Sequence, residues 1–157
     1  MTPTRSITLA AAAALLLSHV PAQAQEVVLR LHHFLPSQAT IQAMVFNPWC
    51  DKIGKESGGK IKCQIYPSMQ LGGTPPQLFD QAKDGVADII WTVPTYQAGR
   101  FIKSEVFELP FMAKNAETGS PALYEYVQKN AMDEFKGVRI LAMHLHDGAL
   151  LHFAKQQ

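Results

Sequence analysis

The sequence is short of cysteine, of charge imbalance and of long apolar runs. Two cysteines occur in 157 residues. A pair without further sulfur or nitrogen ligands makes no four-coordinate structural zinc site. It is also too sparse for a small fold built on disulfides. Lys and Arg number 14 against 13 Asp and Glu, so there is no basic excess to grip phosphate backbones or anionic membrane surfaces. The leading apolar run, Ile7 to Leu17, is well below the roughly 20 residues a spanning helix needs, and no other stretch does better. No Gly-x-Gly-x-x-Gly, phosphate-binding loop, His-Glu-x-x-His or Gly-x-Ser-x-Gly occurs. Ser57, Ser68, Ser104 and Ser120 sit in turn or cap contexts. The sequence thus offers no enzyme motif, no cofactor-binding motif and no grip for nucleic acid.

What is present begins with an export signal. Arg5, the apolar run and the small-residue passage Ala22-Gln23-Ala24 have the three-part layout of a secretory signal peptide over residues 1–24, cleaved after Ala24. No twin arginine is present, which points to the general secretory route into the periplasm. Loss of Arg5 leaves the mature chain, from Gln25, without net charge. Export permits a disulfide. Cys50 falls late in an expected helix, and Cys63 lies in the strand "IKCQIY", where Ile61, Cys63 and Ile65 share one face. The pair either bridges or remains as two buried thiols.

Periodicity orders the rest. "EVVLRLHHF" reads as a strand. The following helix has Ser37 as N-cap and an apolar stripe of Ile41, Met44, Val45, Trp49 and Ile53. Pro48 should kink it, and Gly58 and Gly59 end it. "KIKCQIYP" is a second strand. Thr74, Pro75 and Gln77 form a capped start to a short helix that Gly85 ends. "VADIIWTV" is a third strand, apolar throughout as in a sheet covered on both faces. A looser stretch leads to a helix from Ser120-Pro121 to about Phe135, and "VRILAMHLH" is a fourth strand. Such alternation implies an α/β fold with a mostly parallel sheet.

In such a sheet, ligands sit at the carboxyl ends of strands. The loop from Pro67 to Thr74 leaves one of those ends. Gly72 and Gly73 let backbone approach a ligand. The capped helix after them would aim free N–H groups and a partial positive charge at the same place, which suits a carboxylate. The plainer alternative is ordinary strand-to-helix punctuation.

Several passages together resemble a known family. "GKIKCQIYPSMQLGG", "LFDQAKDGVADIIW" and "EVFELPFM", in this order and spacing, resemble the extracytoplasmic solute-binding proteins of TRAP (tripartite ATP-independent periplasmic) transporters, of the dicarboxylate-binding type. The likeness runs from about Leu29 to His152. It implies a periplasmic-binding-protein-like (type II) fold of two α/β lobes that close on an organic acid and deliver it to membrane permease subunits. By that likeness residues 25–137 are a first lobe, and 138–157 begin the crossing into a second, largely missing lobe. The protein would be a monomer if complete, and the chain a fragment. Ligand-binding positions carried over are Phe34, Gly73, Thr74, Trp91, Pro94 and Tyr96. The family's proteins are longer and contain a Gly-Leu-Lys-x-Arg passage whose arginine pairs with the substrate carboxylate. This sequence has no such passage, and Arg139 stands in a different context.

The rival reading is an exported zinc-binding protein or hydrolase. His144 and His146 are two apart in the expected fourth strand, so both would face one side. With His32 or His33 from a neighbouring strand end they would form a three-histidine site, with Asp147 as a base. Thermal melting with organic acids, zinc and a chelator separates the two readings. A purely structural exported product is a third class, made less attractive by the glycine-rich strand-end loops.

Overall fold

The computed structural model describes residues 26–148. The expected signal peptide, residues 1–24, lies outside them, as does His152. Three parallel strands form the sheet: β1 (Val27–His33), β2 (Ile61–Tyr66) and β3 (Ile89–Trp91), in the order β2-β1-β3. Register pairs Val27 with Ile61 and His32 with Tyr66 on one side of β1, and Leu31 with Ile89 and His33 with Trp91 on the other. The carboxyl ends of all three strands therefore meet at one edge. With β1 central and its sequence neighbours on opposite sides, the chain reverses its winding between β1 and β3. That point is where open α/β sheets form their ligand crevice.

Helix α1 (Asn47–Glu56) connects β1 to β2. Its entry is a π-turn, Gln42–Phe46, in which the Asn47 N–H bonds to the Gln42 carbonyl. The wide turn precedes Pro48, whose ring would clash with a carbonyl one regular turn back. The proline therefore remodels the helix instead of breaking it. Helical structure begins at Thr40, and Ser37 lies in a preceding turn rather than at the cap. The expected apolar stripe is only half realised: Met44 and Val45 face solvent, and Gln42 is the buried member of the π-turn. Cys50 and Cys63 are joined across α1 and β2, with Cα atoms 5.2 Å apart.

Between β2 and β3, a 3-10 turn (Pro75–Gln77) leads into α2 (Leu78–Lys83). Leu78 and Phe79 are buried, and Gly85, at φ +73°, follows the helix end. Strand β3 is shorter than its apolar run suggests because Asp88 interrupts the ladder. Its Oδ2 accepts from the Arg30 N–H at 2.8 Å, in place of a strand carbonyl, and also from Arg30 Nε at 3.0 Å. The guanidinium holds the Asp88 carboxyl below the usual carboxylate range.

Helix α3 (Ala116–Asn130) starts one turn before the expected Ser120-Pro121. Asn115 is its cap, accepting from the Thr118 N–H at 2.9 Å. Pro121 lies inside the helix. Leu123 and Val127 of α3, Ala131, and Phe135 from a following 3-10 turn (Met132–Phe135) pack with Phe79 and Phe101. The three phenylalanines make a mutual cluster, with centroids 5.0 Å apart for Phe79–Phe101 and Phe101–Phe135.

The expected fourth strand does not form among the described residues. Residues 139–148 take no regular structure and join no ladder. One backbone group of the segment is held by a side chain of α3: the Leu145 N–H donates to Ser120 Oγ at 2.9 Å. The Ala116 N–H in turn donates to Asp147 Oδ1 at 2.7 Å. Val138, Ile140, Met143 and Leu145 pack on the phenylalanine core. Gly119 makes the crossing possible, since a Cβ there would lie 2.7 Å from Leu145 Cδ1 and 2.9 Å from Ala113 Cβ.

Candidate functional site

The site is built at the carboxyl ends of β1 and β3. Phe34 follows β1 directly, and Trp91 is the last residue of β3. Their rings lie at 27° with centroids 5.1 Å apart. Tyr96, from the 3-10 turn Pro94–Tyr96, joins Phe34 at 5.4 Å. Phe46, from the π-turn, meets Trp91 edge-on at 6.5 Å. Parallel pairing fixes this constellation, because His33 stands opposite Trp91 and the chain leaves both strands at the same edge. Phe34 and Trp91 are half-buried and Tyr96 is exposed. A wall of this kind offers flat apolar area with polarised ring edges.

Two histidines support the wall from beneath. His32 and His33 end β1 and are wholly buried. His32 Nδ1 lies 2.8 Å from Gln81 Oε1, and its Nε2 accepts from the Leu71 N–H at 3.3 Å. That pattern requires the neutral ring with its proton on Nδ1. Gln81 Nε2 then donates to the Gly72 carbonyl at 2.9 Å. The buried imidazole thus ties α2 to the glycine loop through one side chain. His33 Nε2 lies 3.0 Å from Gln42 Oε1 and its ring packs against Phe46 at 5.3 Å. Burial pushes the pKa of both histidines down.

The loop from Pro67 to Thr74 is fastened to the end of β1. The Met69 N–H donates to the His33 carbonyl at 3.1 Å and the Ser68 N–H to the Leu35 carbonyl at 2.9 Å. Gly73 needs to be glycine on two counts. Its φ is +82°, and a Cβ would come within 2.7 Å of Gln81 Nε2. Gln97 Nε2 donates to the Pro76 carbonyl, so the turn carrying Pro75 lies against the turn carrying Pro94. Phe34, Trp91, Pro94 and Tyr96 are gathered on the aromatic side of this edge. Gly73 and Thr74 occupy the neighbouring loop on the β2 side.

One expectation about this loop is corrected. The helix start presents no free N–H groups. Pro75 and Pro76 have none to offer, and the Thr74 N–H is taken by Gln77 Oε1 at 2.8 Å. The Gln77 N–H returns to the Thr74 carbonyl at 2.9 Å. The prolines that announce the helix in sequence also strip it of donors, so the rim is aromatic in character.

The zinc reading also finds no support. Among the described residues no three His, Cys, Asp or Glu side chains are grouped to hold a metal ion. His32 and His33 are engaged by Gln81 and Gln42. His144 Nε2 accepts from Trp91 Nε1 at 3.0 Å, and His146 Nδ1 lies 2.6 Å from the Asp147 carbonyl oxygen. His144 is a member of the site that sequence reasoning assigned to the wrong chemistry. Phe46 was not among the expected site residues, since nothing in its local sequence sets it apart from the rest of the helix around Pro48.

Comparison with known proteins decides the family. The profile of the bacterial extracellular solute-binding proteins, family 7, matches residues 31–155. The chain belongs to this family. Family 7 proteins bind solutes and are not enzymes, and those of TRAP systems are periplasmic. The α/β fold with a parallel sheet agrees with their solved structures. A TRAP solute-binding protein from Rhodoferax ferrireducens T118, in complex with copurified benzoate, is 55% identical. The match covers 77% of this chain and 38% of that one, with a TM-score of 0.74. A marine metagenome TRAP solute-binding protein specific for aromatic acid ligands, in complex with 3-hydroxybenzoate, is 51% identical. It is covered to 38% by 78% of this chain, with a TM-score of 0.75. The outer membrane transporter protein TsaT of Comamonas testosteroni is 30% identical over 123 residues, 77% of this chain and 36% of its own. This family 7 chain therefore spans well under half the length of these relatives.

Proposed function

We propose that this chain is the solute-binding component of a TRAP transporter and that its solute is an aromatic carboxylate. The observation that carries the reading is the wall of Phe34, Trp91 and Tyr96 at the β1/β3 switch point. A flat ring stacks on such a wall at little conformational cost, and the strand ends beneath it are rigid. Two relatives sharing more than half of the matched residues hold benzoate and 3-hydroxybenzoate, which supports the same solute class here. Residues 25–137 act as one lobe, and residues 138–157 begin the passage to a second that closes over the acid and supplies the carboxylate's cationic partner. Residues 1–24 direct export to the periplasm, where the monomeric protein docks on membrane permease subunits. Phe34, Trp91, Pro94 and Tyr96 contact the ring, and Gly73 and Thr74 shape the adjoining rim.

Thermal melting with a panel of acids, zinc and a chelator tests this. Benzoate or 3-hydroxybenzoate should raise the Tm in proportion to the logarithm of its concentration, and succinate should not. Stabilisation by zinc, reversed by the chelator, with no response to any acid would overturn the proposal. Amino-terminal sequencing of the exported product checks cleavage after Ala24.

A further inference from the structure

The residue that the sequence offered only as a metal ligand is His144. Its imidazole and the Trp91 indole have planes within 7° of each other, while Trp91 Nε1 donates to His144 Nε2 at 3.0 Å. An indole N–H lies in the plane of its ring, and so does an imidazole lone pair. A bond between them with parallel planes places the two rings side by side in one sheet of atoms. Trp91 and His144, with centroids 5.9 Å apart, therefore make a single flat plate wider than the indole alone. Phe34 leans over the Trp91 part, and the His144 part is exposed to solvent.

The hydrogen bond also fixes the chemistry of the exposed edge. A neutral imidazole that accepts at Nε2 carries its proton on Nδ1. Within the protein that N–H has only a 3.4 Å approach to the carbonyl of the next residue, Leu145, which is too long to hold it well. The plate thus ends in an N–H donor with spare capacity.

We propose that His144 is a specificity-determining ligand residue: the solute ring lies beside Phe34 and off the Nδ1 edge of His144, near the plane of the plate, and Nδ1–H donates to a hydroxyl oxygen on that ring. The ligand class is a hydroxylated aromatic acid rather than an unsubstituted one. This rests on the aromatic-acid reading above. It also gives segment 139–148 a function, because the crossing over α3 at Gly119 and the Leu145–Ser120 bond set where His144 stands.

The test is nitrogen-15 NMR titration of the exported chain with benzoate, 3-hydroxybenzoate and cyclohexanecarboxylate up to millimolar concentration, for wild type, His144→Phe and His144→Ala. Wild type should prefer 3-hydroxybenzoate to benzoate, and the Trp91 indole N–H resonance should move on binding. His144→Phe keeps a flat ring but has no donor. It should weaken 3-hydroxybenzoate about fivefold relative to benzoate, the worth of one ordinary hydrogen bond. His144→Ala, which also removes the donor, should weaken 3-hydroxybenzoate by at least as much. Wild-type binding with the same preference in His144→Phe would overturn the role of His144 and leave the aromatic-acid reading standing. No binding of either aromatic acid by wild type would overturn both. Should the variants fail to fold, a Trp91 indole resonance unmoved by saturating 3-hydroxybenzoate in wild type would overturn the proposal alone.

Discussion

Acidification from pH 7.5 to 5.5 should unload this fold through two residues, His32 and His33. Both are wholly buried at the end of the central strand. Both have pKa values lowered, first by desolvation, against smaller opposing effects of the hydrogen bonds they make to Gln81 and Gln42. In the unfolded chain each titrates near 6.5. Below that pH the unfolded state binds protons that the native state refuses, so stability falls as pH drops. Over this window each ring can contribute at most ~1.4 kcal/mol to the loss, and the pair at most nearly 3 kcal/mol. That is a large share of the ~5–15 kcal/mol available to a domain. Carboxylates complicate little here. Asp88, held ionised by Arg30, is charged in both states across this window. The assay is urea unfolding followed by far-ultraviolet circular dichroism at half-unit pH steps. His33→Gln should be less stable at neutral pH, yet its stability should fall with pH about half as steeply as wild type. A flat profile from 7.5 to 5.5, or an unchanged slope in that variant, would refute the assignment of neutral, buried rings.

Three further outcomes follow from the same geometry. Replacing Cys50 and Cys63 by serine should cost about 3 kcal/mol under oxidising conditions, from the closed loop alone; the cysteines are 13 positions apart, and the difference from wild type should vanish in reductant. Gly73→Ala should lower stability by about 1–2 kcal/mol, because φ +82° is strained for any Cβ, and hydrogen exchange at Leu71 should accelerate as the Gln81 tie is displaced. Phe101→Ala should cost ~3–5 kcal/mol by opening a cavity between Phe79 and Phe135, read as a fall in the urea midpoint with unchanged m.

The parts of the fold that sequence made legible are those set by local chemistry. Alternation in "IKCQIY" located β2 and its half-buried face, and the Thr74-to-Gln77 pattern located a helix start with the expected Thr74–Gln77 bond. Several of the failures involve a distant partner. Ser120-Pro121 looks like a helix cap, but the Ser120 hydroxyl is occupied by the Ala116 carbonyl and the Leu145 N–H. Asn115, with Glu117 and Thr118 close behind, was the available signal for the true start. "VRILAMHLH" has a strand's composition, yet it lies across α3 and has no neighbour in the ladder. Asp88 shortens β3 by bonding to Arg30, 58 positions away in sequence. The aromatic wall was partly visible as single residues at strand ends. Its widening by His144 was not, because two histidines spaced by one residue read first as metal ligands.

The account stands most directly on where an aromatic acid touches this chain. Nitrogen-15 and aromatic carbon-13 spectra of the protein titrated with benzoate should shift first at the Trp91 indole and the Phe34 and Tyr96 rings, with the outer face of α1 silent. Shifts centred on α1, or on the Thr74–Gln77 helix start with the aromatic wall unmoved, would contradict it.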